Sequence, residues 1–362
     1  MTSHLAPTRV RFPVAGPFRA DLERRTDAFF ARTGLSRRAS AAMRLKTVLL
    51  LSWLAGSWAT LVFVPLSPWL IASLAASVGL AMAGVGFSVM HDANHDSYAS
   101  SRRMNRIIGL TLDLLGASSL IWRQKHNVLH HTYTNVQGLD ADLEAGPLLR
   151  FAPWQPRRPW HRFQHLYAPL LFGLFPIRWF FFDDFRDLWT GTVGAQPLPP
   201  VSKRDLLGVL AGKAVFFTWA FAVPIALHPT AWLVPIYLLT FLVLGNALAW
   251  VFQLAHCLQE AEFQPVHPDK KGETMPRSWE EHQLATTVDF APRSRLLSWY
   301  LGGLNFQVEH HLFPRICHVH YPELAKIVAE TCRDHGLRYR CEATFFSAIA
   351  ANLRWIRELG TA

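Results

Sequence analysis

Two pairs of long apolar runs, each pair joined by a short turn, most strongly constrain what this chain of 362 residues can fold into. The first pair occupies residues 47–66 and 68–90, and the second occupies residues 206–227 and 231–255, with Lys213 as an interruption. A helix needs about 20 mostly apolar residues to cross about 30 Å of hydrocarbon, and each run is of that order. Backbone amides in lipid must be hydrogen-bonded within their own segment, which favours helices. The sequence therefore predicts an all-α integral membrane protein with four transmembrane helices in two hairpins.

The composition agrees with a membrane protein and argues against a nucleic-acid-binding protein. Hydrophobic residues make up 51% of the chain and charged residues only 17%, which is little charge for a soluble domain. The net charge of +10 is compatible with nucleic acid or an anionic membrane surface. Because the basic residues flank the apolar runs and no nucleic-acid module is recognisable, we expect membrane lipids as partners and no nucleic acid. Four cysteines without a C-x-x-C pair suit a reducing compartment, and the N-terminus lacks the apolar core of a signal peptide.

Lysine and arginine residues indicate the orientation of the predicted spans. They precede the first span, follow the second and precede the third, and neither hairpin tip contains one; they are Arg37, Arg38, Arg44, Lys46, Arg102, Arg103, Arg106, Lys203 and Arg204. Because cytoplasmic loops carry an excess of these residues, both termini and the long central segment should be cytoplasmic. We predict a cytoplasmic N-terminal segment (1–44), a membrane domain (45–337) and a C-terminal cytoplasmic helix (338–362).

Two shorter apolar stretches, residues 107–121 and 166–182, lie between the hairpins. The first contains an aspartate, and the second contains two prolines and an arginine. Their length and interruptions predict helices that lie at the membrane interface rather than cross the membrane. Buried helices of a cytoplasmic helical cap would have the same composition. If either stretch did cross the membrane, the predicted orientation of every later segment would be inverted.

Histidines cluster at three places along the chain. The first cluster, His-Asp-Ala-Asn-His, directly follows the second predicted span, and two rings four residues apart share one face of a helix. The second reads His-Asn-Val-Leu-His-His, in which the last ring should point about a third of a turn away from the other two. The third reads Gln-Val-Glu-His-His, and one further histidine ends the fourth span. Together these are His91, His95, His126, His130, His131, His256, His310 and His311.

With four spans in this orientation, all eight histidines lie at or beyond the same membrane face, so they are able to converge. Imidazole binds iron, zinc and copper, and two ions with four or five ligands each need about eight to ten donors. Eight histidines nearly supply that number, with Gln307 as a further ligand or as the holder of a water. Iron fits a reaction of O2 at an unactivated C–H bond, whereas zinc cannot change its valence. The sequence therefore predicts a cytoplasmic site for two iron ions, in which zinc would be an artefactual substitute.

These motifs resemble the three histidine boxes of the membrane fatty acid desaturase family. The boxes span residues 91–95, 126–131 and 307–311. The third lies within Asn-Phe-Gln-Val-Glu-His-His-Leu-Phe-Pro, which is similar to the corresponding region of front-end and bacterial linoleoyl-CoA-type desaturases. Residues 130–135 and 279–287 are also similar to blocks of this family. The likeness covers most of the chain, from about residue 45 to residue 337.

The resemblance implies O2-dependent desaturation of a fatty-acyl chain, carried by CoA or by a lipid, with a cis double bond as the product. It implies the eight histidines as iron ligands, and Asp92 and Glu309 are suited to fixing the ligand imidazoles. Gln307 resembles front-end enzymes, although related bacterial enzymes with other double-bond positions carry the same glutamine. No His-Pro-Gly-Gly haem motif is present. We therefore expect a separate electron donor: a ferredoxin, a rubredoxin-like protein, or a cytochrome with its reductase.

Three other functions would explain part of this pattern. A hydroxylase or ketolase of the same histidine-rich superfamily, acting on alkyl chains or carotenoids, has the same ligands and differs in its product. A zinc hydrolase is disfavoured because no H-E-x-x-H helix is present. A metal transporter or receptor is disfavoured because residues 47–90 contain neither histidine nor charge. The other histidines are expected at surface or packing positions, and four remain candidate donors around the site: His267, His282, His318 and His320.

Overall fold

The structure, a computed structural model, describes residues 10–266 and 274–362, so His267 lies outside the described residues. The described chain is mostly helical, as predicted. The helices up to the second histidine cluster are α1 (Pro17–Thr33), α2 (Ala41–Phe63), α3 (Pro68–Val85), α4 (His91–Asn94), α5 (Arg102–Gly109), α6 (Thr111–Leu114) and α7 (Ser119–Trp122). The next five are α8 (Gln164–Arg178), α9 (Asp184–Thr190), α10 (Lys203–Phe217), α11 (Val223–Leu227) and α12 (Thr230–His256). The last five are α13 (Trp279–Thr286), α14 (Arg295–Tyr300), α15 (Gln307–Leu312), α16 (Tyr321–Asp334) and α17 (Phe345–Thr361).

Short π-helical and 3₁₀-helical segments and two short strand pairs complete the secondary structure of the described residues. The π-helical segments are Gly86–Met90, Arg123–His130, Trp179–Asp183 and Thr218–Ala222. The 3₁₀ segments are Ala141–Leu143, Pro159–Phe163 and His318–His320. Strand β1 (Thr192–Val193) pairs antiparallel with β2 (Gln196–Pro197), and β3 (Asp289–Phe290) pairs parallel with β4 (Cys341–Glu342).

Several of these helices join into runs that are long and apolar enough to cross a membrane. Within the described residues there are five: Ala41–Phe63, Pro68–Asn94, Pro159–Thr190, Lys203–Leu227 and Thr230–His256. Four of them correspond to the predicted spans. Side chains cap two of their N-termini, since Ser40 accepts a hydrogen bond from the Met43 amide and Ser202 accepts one from the Asp205 amide. These runs indicate a membrane protein.

The fifth run, Pro159–Thr190, corrects a prediction. Residues 166–182 look too short and too interrupted to span, yet they lie inside a helical run of 32 residues. The helix stays continuous past its prolines because the π segment Trp179–Asp183 follows Pro176 and changes the hydrogen-bond register. The α12 backbone also makes room, since a Cβ at Gly245 would lie 2.7 Å from the Pro176 ring. The helix is therefore longer and more continuous than the sequence indicates, and its placement at the membrane interface stays a prediction.

The other short stretch, residues 107–121, is broken as its composition suggests. It falls on two helical pieces, Arg102–Leu114 and Ser119–His130, which meet at an angle of 113°. The bend lies at Gly116, whose φ of +108° favours glycine and whose missing Cβ would touch the Phe216 ring at 2.7 Å. The chain thus turns sharply just before the second histidine cluster.

Helix packing brings the ends of α3 and α12 together. At Gly79 of α3 a Cβ would lie 2.7 Å from the Thr240 carbonyl oxygen of α12, so the two backbones cross in close contact. The interrupting charge of the third predicted span is also satisfied. Lys213 Nζ donates to Asp184 at 2.7 Å and to the carbonyls of Gly116 and Phe180. A lysine in an apolar helix is acceptable here because its three protons are used.

The terminal helices cover the segments that carry the histidines. The predicted tail of helix, break and helix is confirmed: α16 ends just before Gly336, which has a φ of +67°, and α17 follows. Phe18 and Leu22 of α1 pack against Val328 of α16. Ile356 of α17 packs into the cluster that contains Phe172 of α8.

Candidate metal centre

The eight predicted ligands come from four separate elements that meet at one place. The first box follows the π segment Gly86–Met90, the second lies in the π segment Arg123–His130, one histidine ends α12, and the third box forms α15. All eight are buried apart from His126, which is half-buried. The structure therefore brings together residues up to 220 positions apart in sequence: His91, His95, His126, His130, His131, His256, His310 and His311.

The second box is a π-helix rather than the α-helix that its spacing suggests. The His131 amide donates to the carbonyl of His126, five residues earlier, at 3.0 Å. A π-helical turn holds more residues than an α-helical turn, so positions four and five ahead both lie beside position 126. The ring centroids of His130 and His131 lie 5.2 and 4.8 Å from that of His126. All three rings therefore face the cluster, and the expected outward turn of His131 does not occur.

The nitrogens of these rings fall into two groups around a shared member. In each group, the potential ligand nitrogens lie within 4.8 Å of one another. We call them the four-histidine group (His91, His95, His126 and His310) and the three-histidine group (His130, His256 and His311). His131 lies between them, with its ring centroid 4.5 Å from that of His310 and 4.3 Å from that of His311. Two groups of donors are what two metal ions require.

Unpaired nitrogens inside the cluster test whether metal ions fit. Nε2 of His95, His130 and His311 and Nδ1 of His131 are buried without a hydrogen-bond partner among the described residues. Nε2 of His131 faces Nε2 of His310 at 2.9 Å. A neutral imidazole has one donor and one acceptor, and an unpaired buried polar atom is costly, so these lone pairs need a partner. Metal ions at both groups would supply it for the three Nε2 atoms, and the donor set fits.

Electrostatics keep these rings in the form that binds metal. Burial, reinforced by the neighbouring imidazoles, holds the pKa of His95, His131, His310 and His311 well below its usual value. A histidine ligand must be neutral because a protonated ring has no free lone pair. These four rings are therefore deprotonated donors at neutral pH.

The three-histidine group is held by hydrogen bonds to the back of each ring. Nδ1 of His130 lies 3.1 Å from a carboxylate oxygen of Asp140, and Nδ1 of His311 lies 2.8 Å from Oε1 of Gln283. Nδ1 of His256 lies 3.2 Å from the carbonyl oxygen of Thr286. An acceptor at Nδ1 fixes the proton there and directs the Nε2 lone pair toward the metal.

The four-histidine group has weaker support. Nδ1 of His310 lies 3.4 Å from the Tyr321 hydroxyl, and Nδ1 of His126 lies 3.7 Å from Asp142, beyond hydrogen-bond range. Among the described residues, no hydrogen bond holds the rings of His91 and His95. These rings are positioned by packing, since the indole of Trp122 stacks on His126 and lies edge-on to the other two.

The two acidic neighbours of the boxes do not hold ligand rings, contrary to prediction. Asp92 accepts from His318 Nδ1 at 2.8 Å and from the Cys317 thiol at 3.0 Å. Lys46 lies on the other side of that imidazole, 3.1 Å from its Nε2. The Asp92 carboxylate thus connects the first box directly to the segment that follows the third box, and Lys46 adds a contact from α2.

Glu309 points away from the rings as well. Its Oε1 accepts from the Tyr339 hydroxyl at 3.1 Å, and that hydroxyl also donates to Asp289. Burial, followed by the nearby Asp289 carboxylate, raises the pKa of Glu309 well above its usual value. Burial likewise raises the pKa of Asp289 to about 6, and Asp289 accepts from the Val308 amide at 2.9 Å. The pair shapes the start of α15 rather than a ligand ring.

The residues that do orient ligand rings were missed by sequence reasoning. Asp140 follows the second box in a loop with no motif of its own. Gln283 and Thr286 lie within residues 279–287, a stretch flagged only as similar to a family block. Of the open candidates, His282 donates from Nε2 to the carbonyl oxygen of Thr134, 2.8 Å away. His320 bonds the Ser36 carbonyl at 2.8 Å, so neither ring is turned toward the cluster.

A large cavity opens onto the histidines. Its volume is about 1050 Å³, and its wall includes Gln307 together with members of both histidine groups. The part of the wall formed between α3 and α12 is mostly apolar, and we call it the apolar arm. The other arm is polar, with ion pairs such as Lys125–Asp142 at 2.9 Å and Arg186–Asp183 at 2.9 Å. A long apolar chain with a polar end matches this shape.

The sequence of this chain is similar to those of known proteins. A family model described as fatty acid desaturase matches residues 67–343. The sn-1 linoleoyl-lipid 6-desaturase of Synechocystis sp. is 37% identical over 363 residues, which cover 99% of each chain. The enzyme of the same name from Arthrospira platensis is 36% identical, over 97% of this chain and 95% of the relative. An acyl-lipid (8-3)-desaturase of Physcomitrium patens is 34% identical, over 94% of this chain and 71% of the relative. This chain belongs to the fatty acid desaturase family.

Proposed function

We propose that this desaturase introduces a cis double bond at carbon 6 of a linoleoyl-type chain bound to a membrane lipid, with two iron ions and O2. The observation that carries the proposal is the buried imidazole cluster, which contains unpaired nitrogens and contributes five rings, His130 among them, to the wall of a cavity with an apolar arm. The double-bond position and the lipid carrier follow from the two relatives named as 6-desaturases. The proposed ligands are the four-histidine group, the three-histidine group and His131, with Gln307 at the cavity wall as a holder of water.

The charge of the polar arm favours a lipid carrier over CoA. Carboxylates outnumber basic side chains on the cavity wall, as Asp140, Asp142, Glu144, Asp183, Asp184 and Asp187 against Lys125, Arg178 and Arg186. Lys125 holds the pKa of Asp142 well below its usual value, although burial alone would raise it. An arm with excess negative charge repels the phosphates of CoA and accepts an uncharged, hydroxyl-bearing headgroup.

When bound, the two iron ions would supply the redox chemistry with O2. The protein positions the acyl chain and excludes water from the site. Trp122, Leu112 and Val251 line the cavity beside the rings and exclude water from the reacting methylenes. Asp140 and Gln283 hold the rings of His130 and His311 in one orientation, so the donors do not have to reorganise when metal binds.

Convergence of the histidines supports four spans rather than five. The ring centroids of His130 and His256 are 4.7 Å apart, so the chain must cross the membrane an even number of times between them. Of the three candidate runs in that interval, we propose that Lys203–Leu227 and Thr230–His256 cross. Pro159–Thr190 then lies along the membrane face.

Contacts at both ends of Pro159–Thr190 support this arrangement. Near its start, the Gln164 side chain bonds the backbone of Arg150 at 2.8 and 3.0 Å. Just after its end, Val193 packs against Leu129, beside the second box. Both ends thus return to the histidine side. With lysine and arginine flanking the spans, we propose that this side and both termini are cytoplasmic, where a ferredoxin, a rubredoxin-like protein or a cytochrome with its reductase delivers electrons.

The test is expression in a host that makes linoleoyl lipids and supplies reduced ferredoxin, with lipid products mapped by mass spectrometry. We expect loss of two hydrogens and a new double bond at carbon 6, appearing in membrane lipids before the acyl-CoA pool. His130→Ala should give no product, whereas His335→Asn, which alters a half-buried histidine near Asp21, should behave as wild type. Gain of one oxygen in place of hydrogen loss would instead identify a hydroxylase.

A further inference from the structure

The apolar arm of the main cavity descends between two helices in regular steps. Met90, Gly86 and Met82 line it from α3 and the π segment that extends α3, at intervals of four residues. Val251, Leu248 and Leu244 line it from α12. Each step of three or four residues is about one helical turn, so the arm leads away from the histidines into the bilayer.

A second cavity continues along the same line. It has a volume of about 310 Å³, and its wall is mostly apolar. Val78, four residues beyond Met82, lines it from α3, while Phe241 and Tyr237 line it from α12. Met82 belongs to the wall of both cavities and is 3% exposed. Its side chain therefore lies where the two spaces meet.

We propose that Met82 is the floor of the acyl-chain site and sets the longest chain that this enzyme accepts. The inference rests on the proposed function, because the polar arm must hold the headgroup for the methyl end to point toward Met82. A thioether side chain suits this position, since it is flexible and fills irregular apolar gaps without a polar partner. The second cavity is the space that a longer chain would enter if this floor were removed.

The depth of the floor agrees with the proposed position of the double bond. Met82 lies nine residues before His91, which is about 13 Å along a helix. An extended chain advances about 1.2 Å per bond, so this depth holds about eleven carbon–carbon bonds. Desaturation between carbons 6 and 7 of a linoleoyl-type chain leaves about eleven bonds from carbon 7 to the methyl carbon. The two cis double bonds of a linoleoyl chain shorten its reach slightly, so the methyl end then lies just above Met82.

Three substitutions probe the floor. Met82→Ala joins the two cavities, and Met82→Leu keeps nearly the same volume as a matched control. Val78→Ala enlarges only the second cavity and leaves the floor in place. Gly86→Val narrows the arm above the floor, at a position where an added Cβ meets only the Leu248 side chain at 3.8 Å.

The experiment offers each variant an equal mixture of lipid-bound chains: the preferred length, two carbons shorter and two carbons longer. Product ratios are read by mass spectrometry, and protein amount and monodispersity are checked in detergent. Two methylenes in apolar surroundings change such a ratio by roughly tenfold. We expect Met82→Ala to raise the ratio of longer to preferred product about tenfold, with the double bond unmoved from the carboxyl end. Gly86→Val should shift products toward the shorter chain.

The controls separate this inference from the proposed function. Met82→Leu and Val78→Ala should keep the wild-type ratios. If the wild type is active and folded Met82→Ala gives the same product ratios, Met82 does not set the chain length. An equal gain of longer product in Val78→Ala would also overturn the role of Met82. A wild type without product on every chain would instead refute the proposed function.

Discussion

The two histidine groups differ in how their rings are held. In the three-histidine group each Nδ1 meets an acceptor, supplied by Asp140, Gln283 or the Thr286 carbonyl. In the four-histidine group the corresponding contacts are long, and two rings are positioned by packing alone among the described residues. One metal position is therefore rigid before metal arrives, while the other is free to adjust its ligands.

This difference has a consequence for metal binding and for chemistry. A ring fixed by a hydrogen bond loses little freedom when it binds metal, so the three-histidine group should bind tightly despite having fewer donors. The four-histidine group has one more donor but must order its rings. An adjustable coordination sphere suits a position where a co-substrate enters, and His131 between the groups couples the two.

Removal of one ligand should have the largest effect and should separate the groups. His311→Ala leaves two donors and the shared His131, so we expect its ion to be lost and iron to fall to about one per chain. His95→Ala leaves three donors and should retain nearly two. Both variants should lack product, and iron is counted on anaerobically loaded protein. Equal iron loss in the two variants would show that the groups do not differ in ligand redundancy.

Removal of a hydrogen bond behind a ring should have an intermediate effect. Gln283→Leu deprives His311 of its acceptor and should weaken metal binding about 10- to 100-fold, whereas Gln283→Glu keeps an acceptor and should restore it. The matched change in the other group, Tyr321→Phe, removes only a contact of 3.4 Å and should cost less than about threefold. Both are measured by competition with a chelator. A larger loss in Tyr321→Phe would reverse the comparison.

Acidification of the metal-free protein should have the smallest effect. Burial and neighbouring rings lower the pKa of four ligand histidines in the folded state, so folding opposes their protonation. Their contribution to stability is present above about pH 6.5, the unfolded value, and is lost as pH falls below it. The thermal midpoint of metal-free protein should therefore drop between about pH 7 and about pH 5. Metal-loaded protein should resist this drop over the same interval, and a flat profile for metal-free protein would contradict the argument.

Much of the site could be predicted from the sequence because its histidines recur in recognisable motifs. Eight histidines recur in boxes and at the end of an apolar run, and the structure gathers all of them. Asp140 and Gln283 were not readable, since a single acid or amide in a loop or helix has no periodic signal. The π-helical second box was missed for a related reason, because a four-residue spacing fits both kinds of helix.

The fold could be predicted from sequence where the length of an apolar run determines the structure. The sequence was misleading where helix packing determines it. Four candidate spans follow from hydrophobic runs of sufficient length, one of which contains Lys213. Residues 166–182 looked too interrupted because Pro169 and Pro176 suggest breaks, yet a π segment and the glycine surface of α12 keep that helix continuous. Asp92 was expected beside a ligand ring by its position in the first box. Its direction depends on His318, which lies 226 residues away and has no pattern that links the two.

The most direct test of the metal centre is anomalous scattering at the iron edge from crystals of anaerobically iron-loaded protein. Two peaks are predicted, one about 2.1 Å from Nε2 of His130, His256 and His311, and one at a similar distance from nitrogens of the four-histidine group. The first peak should have the lower displacement parameter, because hydrogen bonds to Nδ1 hold its ligand rings in place. A single peak, or two peaks away from these nitrogens, would contradict the account.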